Sequence, residues 1–169
     1  VGFDAADPDE YNKQRLDKVL EKVLGGPNKP DLMLVTGDLT ERGDPESYKR
    51  CSELLSACPF PWHPIPGNHD NRTNFSRAFP DVPTPGGYVQ YVIELGHLRL
   101  ILLDTLEEGR HGGAFCETRA AWLKERLDED QVTPTVIVMH HPPMDVGIDW
   151  MRTHPGEPWV QRFADTIHG

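Results

Sequence analysis

Asn68, His69 and Asp70 set an amide, an imidazole and a carboxylate in three consecutive positions, after Gly67 and a proline-rich run over 60–65. The glycine lets the backbone turn sharply. Three adjacent polar side chains at the end of an extended segment do not all enter a core. They converge on a cation or a phosphate, or they form a turn closed by an Asx-type hydrogen bond. Alone, the stretch supports both readings. Two further clusters shift the balance. Asp38 follows Thr36-Gly37, and His140-His141-Pro142-Pro143 follows an apolar run over 136–139. Each has a plain structural reading: Asp38 as the cap of a turn, His140 as a satisfied core imidazole, His141 as structural because neighbours on a strand end point oppositely. Together they are metal-site chemistry, and mixed oxygen and nitrogen donors suit Mn, Fe or Zn better than a soft thiolate site does.

Such clusters need strands to carry them. The runs Leu32-Met33-Leu34-Val35 and 135–139 are short, apolar and bounded by polar residues, as buried strands are. In α/β sheets ligands gather outside the carboxyl ends of such strands. Helices are expected between them. Asp7-Pro8, with Asp9 and Glu10, opens the first; Leu16, Val19, Leu20, Val23 and Leu24 recur at helical spacing, and Gly25-Gly26-Pro27 closes it. Asp44-Pro45 opens a second helix through about Ala57, with Leu54 and Leu55 inward. Residues 73–79 read as a short helix, Glu117 or Thr118 caps a fourth through Leu127, and 159–167 form a fifth. Residues 88–95 and 98–103 read as a hairpin about Gly96-His97, with Tyr88 and Tyr91 packing on the sheet. The alternation predicts one α/β layered domain over 1–169 with a mixed sheet. The loop 109–114, holding three glycines and His111, reads as mobile, and His97 and His111 as solvent-exposed.

The chain has 169 residues, 37% hydrophobic and 26% charged, which is a globular composition. A net charge of −10 argues against a nucleic-acid polymer or an anionic membrane surface as partner, yet permits a phosphate substrate when a metal inverts the local field. No apolar run approaches the ~20 residues of a membrane helix. Cys51, Cys58 and Cys116 are odd in number and widely spaced, so they read as reduced, packed thiols of a cytoplasmic protein.

Gly37-Asp38-Leu39-Thr40-Glu41-Arg42-Gly43, Gly67-Asn68-His69-Asp70 and Met139-His140-His141-Pro142-Pro143, in that order, resemble the calcineurin-like metallophosphoesterases, in the branch of class III cyclic-nucleotide phosphodiesterases and glycerophosphodiesterases. The resemblance implies a layered α/β/β/α sandwich with mixed sheets, incomplete here. It implies two divalent or mixed-valence metal ions, with Asp38 bridging them and Asn68 and His140 on the second. It makes His69 the general acid or charge stabiliser and Asp70 the residue orienting its ring. A metal-bridging hydroxide would attack the phosphorus of a small phosphodiester. Arg72 and His141 are candidate substrate contacts, with a solvated charge as the alternative for Arg72; Trp150 and His154 are candidate pocket residues. Glu41 and Arg42 read as supporting the loop by ion pairing. The family's opening Asp-x-His is absent, as is its Gly-His-x-His after the second His block, so the chain reads as trimmed at both ends. An inactive phosphoesterase-fold scaffold and a phosphomonoesterase stand as alternatives, and a homo-oligomer is left open.

Overall fold

The computed structural model describes residues 2–7, 10–151 and 156–169, without the side chain of Trp150. The expectations for Pro8, Asp9, His154 and the Trp150 side chain lie outside the described residues. Five α-helices and two sheets are present among the described residues. β1 (Met33–Val35) and β2 (Trp62–Pro64) pair in parallel, Met33 opposite Trp62. β3 (Tyr91–Glu94) and β4 (Arg99–Leu103) form the expected antiparallel hairpin, and β5 (Thr135–Met139) runs parallel to β4, giving the order β3-β4-β5. The sheet is therefore mixed, but it is split into two.

Side-chain alternation along β4 explains the layering. Leu100 and Leu102 point into a core shared with Val35, Ile65, Tyr48 and Leu55 of α2 (Pro45–Ser56), and Phe75 of α3 (Arg72–Ala78). Ile101 and Leu103 point the other way, onto Leu123 of α4 (Glu117–Glu129) and Trp159 and Phe163 of α5 (Pro158–His168). Every residue of β4 is buried, as a strand covered on both faces must be. Tyr91 fastens the two sheets: its ring lies in the first core and its hydroxyl donates to the Pro64 carbonyl at 2.8 Å.

Helix ends follow local chemistry. Asp44 caps α2 by accepting from the Ser47 N–H at 2.9 Å, with Pro45 in the first turn. Asn71 caps α3 through the Asn74 N–H. The cap of α4 is Cys116, one residue before the expected Glu117, and no side-chain hydrogen bond closes it. α1 (Tyr11–Gly25) forms at the expected spacing but buries none of its residues. Val19 is 57% exposed and Val23 37%, while Leu16 packs half-buried on the first core. Among the described residues no helix is long and apolar enough to cross a membrane. The three cysteines are unpaired.

Candidate active site

β1 and β2 end side by side, so the turns that follow them meet. At Gly37 φ is +104°, and a Cβ there would overlap the His140 ring; a Cβ on Gly67 would overlap Asp38 and stand 2.8 Å from His140 Cε1. Only glycines let these two turns and the end of β5 approach so closely. Asp38 itself has φ +50°, a left-handed conformation that is uncommon outside glycine and that aspartate tolerates better than most residues.

Three acceptor atoms converge there. His140 Nδ1 lies 2.9 Å from the Thr36 carbonyl, which can only accept, so Nδ1 carries a proton. In the neutral ring Nε2 then presents a lone pair. It faces Asn68 Oδ1 at 3.1 Å and Asp38 Oδ1 at 3.4 Å. Lone pairs in this arrangement repel unless a proton or a cation lies among them. Nitrogen, amide oxygen and carboxylate oxygen make a donor set suited to a borderline divalent ion. Among the described residues no group of three or more His, Cys, Asp and Glu side chains is poised for a metal; here the third donor is an amide.

His69 lies beside this cluster. Its backbone N–H donates to Asp38 Oδ1 at 3.1 Å and its Nδ1 is 3.0 Å from the Glu41 carbonyl. That carbonyl, helped by the charges of Asp38 and Glu41 and opposed by partial burial, raises the imidazole pKa above its ordinary value. The cavity in front is about 650 Å³ and is lined by Asp38, Asn68, His69, His111, His140 and His141, together with Gly112, Gly113, Pro142 and Met151.

Two expected roles are corrected by this geometry. Asp70 does not touch the His69 ring. Its carboxylate, 5% exposed, accepts from the N–H groups of Leu39, Thr40 and Gly67 and from the hydroxyls of Thr40 and Tyr48, at 2.8–3.2 Å. The Glu41 carbonyl orients the ring instead. Arg72 does not line the cavity. Its guanidinium is spent on the buried Asp104 carboxylate at 2.8 and 3.1 Å and on the Leu106 carbonyl at 2.9 Å. Glu41 and Arg42 each meet a charged or titratable partner, as expected of residues that support the loop: Arg42 faces Asp4 at 3.4 Å and a Glu41 carboxylate oxygen lies 3.8 Å from His69 Nδ1.

His141 borders the cavity, but its ring is buried and its Nδ1 lies 2.8 Å from the Thr105 hydroxyl. Burial, with the neighbouring His140, pushes its pKa down to about 4. Free histidine protonates near 6.5, so between those values the unfolded chain binds more protons than the folded one. Stability is therefore full above pH 6.5 and is lost as pH falls towards 4, by up to ~1.4 kcal/mol per pH unit from this group. Burial shifts His63 in the same direction. Urea unfolding midpoints from pH 7 to 4.5 should fall accordingly, with a shallower decline in His141→Gln; an unchanged slope in that variant would contradict the assignment.

His111 is exposed, as its sequence setting suggests, and it also borders the cavity, which the sequence did not indicate. It is exposed, yet its Nδ1 lies 3.3 Å from Asn68 Nδ2 and its ring centroid 6.4 Å from that of His69. The one signal available was a histidine set among three glycines.

Fold and cavity together define an α/β protein that gathers aspartate, asparagine and histidine at the carboxyl ends of its strands. The chain belongs to the calcineurin-like phosphoesterase family, whose sequence profile matches residues 7–166. It is 33% identical over 163 residues to a probable glycerophosphodiester phosphodiesterase of Arcobacter nitrofigilis, covering 93% of this chain and 60% of the relative. It is 36% identical over 140 residues to a probable cyclic nucleotide phosphodiesterase of Rhodopseudomonas palustris, covering 77% and 51%. With a 3',5'-cyclic adenosine monophosphate phosphodiesterase of Pseudomonas aeruginosa it shares 31% identity over 137 residues, covering 80% and 48%. The chain thus spans about half to three fifths of the length of these relatives.

Proposed function

We propose that the protein carrying this chain hydrolyses small phosphodiesters, a cyclic nucleotide or a glycerophosphodiester, with Mn, Fe or Zn ions as cofactor, in the reducing cytoplasm. The observation that carries the reading is the convergence of His140 Nε2, Asn68 Oδ1 and Asp38 Oδ1. These three side chains would hold one ion, with Asp38 shared towards a second. When bound, the ions supply Lewis-acid stabilisation of phosphoryl charge and an acidified water. The rest is work for the chain's own residues. Thr36 holds His140 in the tautomer that leaves Nε2 as donor. Asp38 also takes the His69 N–H, which ties the ligand turn to the residue beside it. With Nδ1 committed to the Glu41 carbonyl, Nε2 is the His69 atom available to a phosphate oxygen, and its raised pKa favours the protonated form needed to neutralise a leaving alkoxide.

The test uses the full-length protein and a bis-aryl phosphodiester. His69→Ala is expected to keep its metal content and lose about 10²–10⁴-fold in kcat; unchanged turnover would overturn the assigned role. Asn68→Ala is expected to lose metal on elemental analysis. Wild-type protein that takes up no metal and turns over no phosphodiester would instead favour the scaffold alternative.

A further inference from the structure

His111 lies on the segment joining β4 to α4, remote in sequence from the three clusters, yet it borders the same cavity. The segment is tied at both ends. The Glu108 carboxylate accepts the backbone N–H of Arg72 at 2.8 Å and lies 3.4 Å from the Asn71 side-chain nitrogen. Further on, the Ala114 N–H donates to the Thr105 carbonyl at 2.9 Å. Gly113 is pressed on His141: a Cβ there would stand 2.9 Å from the His141 Cβ. Between these ties, His111 Nδ1 reaches to 3.3 Å from Asn68 Nδ2.

That contact has only one polarity. An amide nitrogen offers no lone pair, so Asn68 Nδ2–H donates, His111 Nδ1 accepts, and the imidazole proton resides on Nε2. With the His111 proton on Nε2, the bond selects between the two orientations of the Asn68 amide. In the one observed, Oδ1 faces His140 Nε2 at 3.1 Å and belongs to the acceptor cluster. In the flipped one, Nδ2–H would point into the cluster and Oδ1 would oppose the Nδ1 lone pair of His111. We propose that His111 is a positioning residue for cation binding, which holds the Asn68 amide so that its oxygen, and not its nitrogen, is presented to the ion. The proposal rests on the reading of Asp38, Asn68 and His140 as cation ligands. Hydrogen-bond partners of this kind commonly alter metal affinity by about 10–100-fold when removed.

Calorimetric titration of the full-length protein with Mn²⁺ tests it. His111 is exposed, so its replacement leaves the core untouched, which far-UV circular dichroism verifies. His111→Ala is expected to weaken Mn²⁺ binding about tenfold. His111→Asn, which keeps an acceptor near the Nδ1 position, is expected to recover most of that loss. In the metal-free protein the Asn68 side-chain amide proton signals should move upfield in His111→Ala and return in His111→Asn. Unchanged affinity in His111→Ala, or equal losses in both His111 variants, would overturn the proposal while Asn68→Ala still abolishes binding. If Asn68→Ala binds Mn²⁺ as tightly as the wild type, or the wild type binds none, the underlying ligand assignment fails and the proposal falls with it.

Discussion

Asp70→Ala is expected to lower the unfolding free energy by about 4 kcal/mol, and the Tm by roughly 10 °C. The reason is its set of donors. Three backbone N–H groups and two hydroxyls end on one buried carboxylate. Each donor left without a partner in the interior costs about 1–3 kcal/mol, less whatever relaxation and water recover. Leu39 and Thr40 belong to the turn after β1, and Gly67 to the turn after β2. Asp70 thus gathers donors from both turns on one buried group and holds the Asp38 turn against the Asn68 turn, alongside the His69 N–H bond to Asp38. Asp70→Asn keeps the shape but sets an NH2 group against N–H donors, and should fall between the two. Thermal unfolding followed by circular dichroism decides the matter, and a loss under 1 kcal/mol for Asp70→Ala would show that the two turns hold without it. The contrast with His69→Ala is diagnostic: that variant should unfold near the wild-type temperature, because its ring stands partly in solvent and its partners, the Glu41 carbonyl and the half-exposed Glu41 carboxylate, stay hydrated without it.

The second large effect is expected at Asp104. This carboxylate is fully buried at the end of β4 and accepts from Arg72 Nε and Nη2 and from the N–H groups of Val89 and Leu106, with Arg119 Nη1 at 3.9 Å. Asp104→Ala leaves the Arg72 guanidinium and the buried Arg119 without their counter-charge, and removal of one partner from such a pair costs about 3–5 kcal/mol. The double variant Asp104→Leu with Arg72→Met removes the Arg72–Asp104 pair while leaving Arg119 in place, and should recover part of that loss, since replacing a buried pair by apolar groups is often close to neutral. Urea unfolding of the two variants and the wild type measures this. If the double variant is as unstable as the single one, the cost lies in lost packing or in the orphaned backbone donors rather than in the unpaired charge.

Those two carboxylates mark where sequence reasoning stopped. Elements with a strong local signature were legible: Asp44-Pro45 at the head of α2, the hairpin at Gly96-His97, and the bounds of β5. The three polar clusters were legible as neighbours because each ends a strand, and strand ends in an α/β sheet lie together. Partnerships were not legible. Nothing local distinguishes Asp70, which faces inward to backbone donors, from an aspartate that faces the His69 ring one residue away. The sequence alone makes Arg72 a surface or substrate charge, because its partner, Asp104, stands 32 residues on, in a stretch with no motif. α1 shows the converse: its apolar spacing set the helix correctly but could not say how much of that face a neighbour would cover.

The hydrogen bond from His140 to the Thr36 carbonyl joins residues 104 apart in the chain. Its consequence is one of timing. Loop-closure entropy must be overcome before so distant a contact returns any energy, and such contacts form late in folding. The nascent chain cannot bring His140 to Asp38 and Asn68 until residues 135–140 have emerged and docked beside β4. On the reading of these three residues as cation ligands, Mn²⁺ binding during refolding should therefore not precede the docking of β5 beside β4.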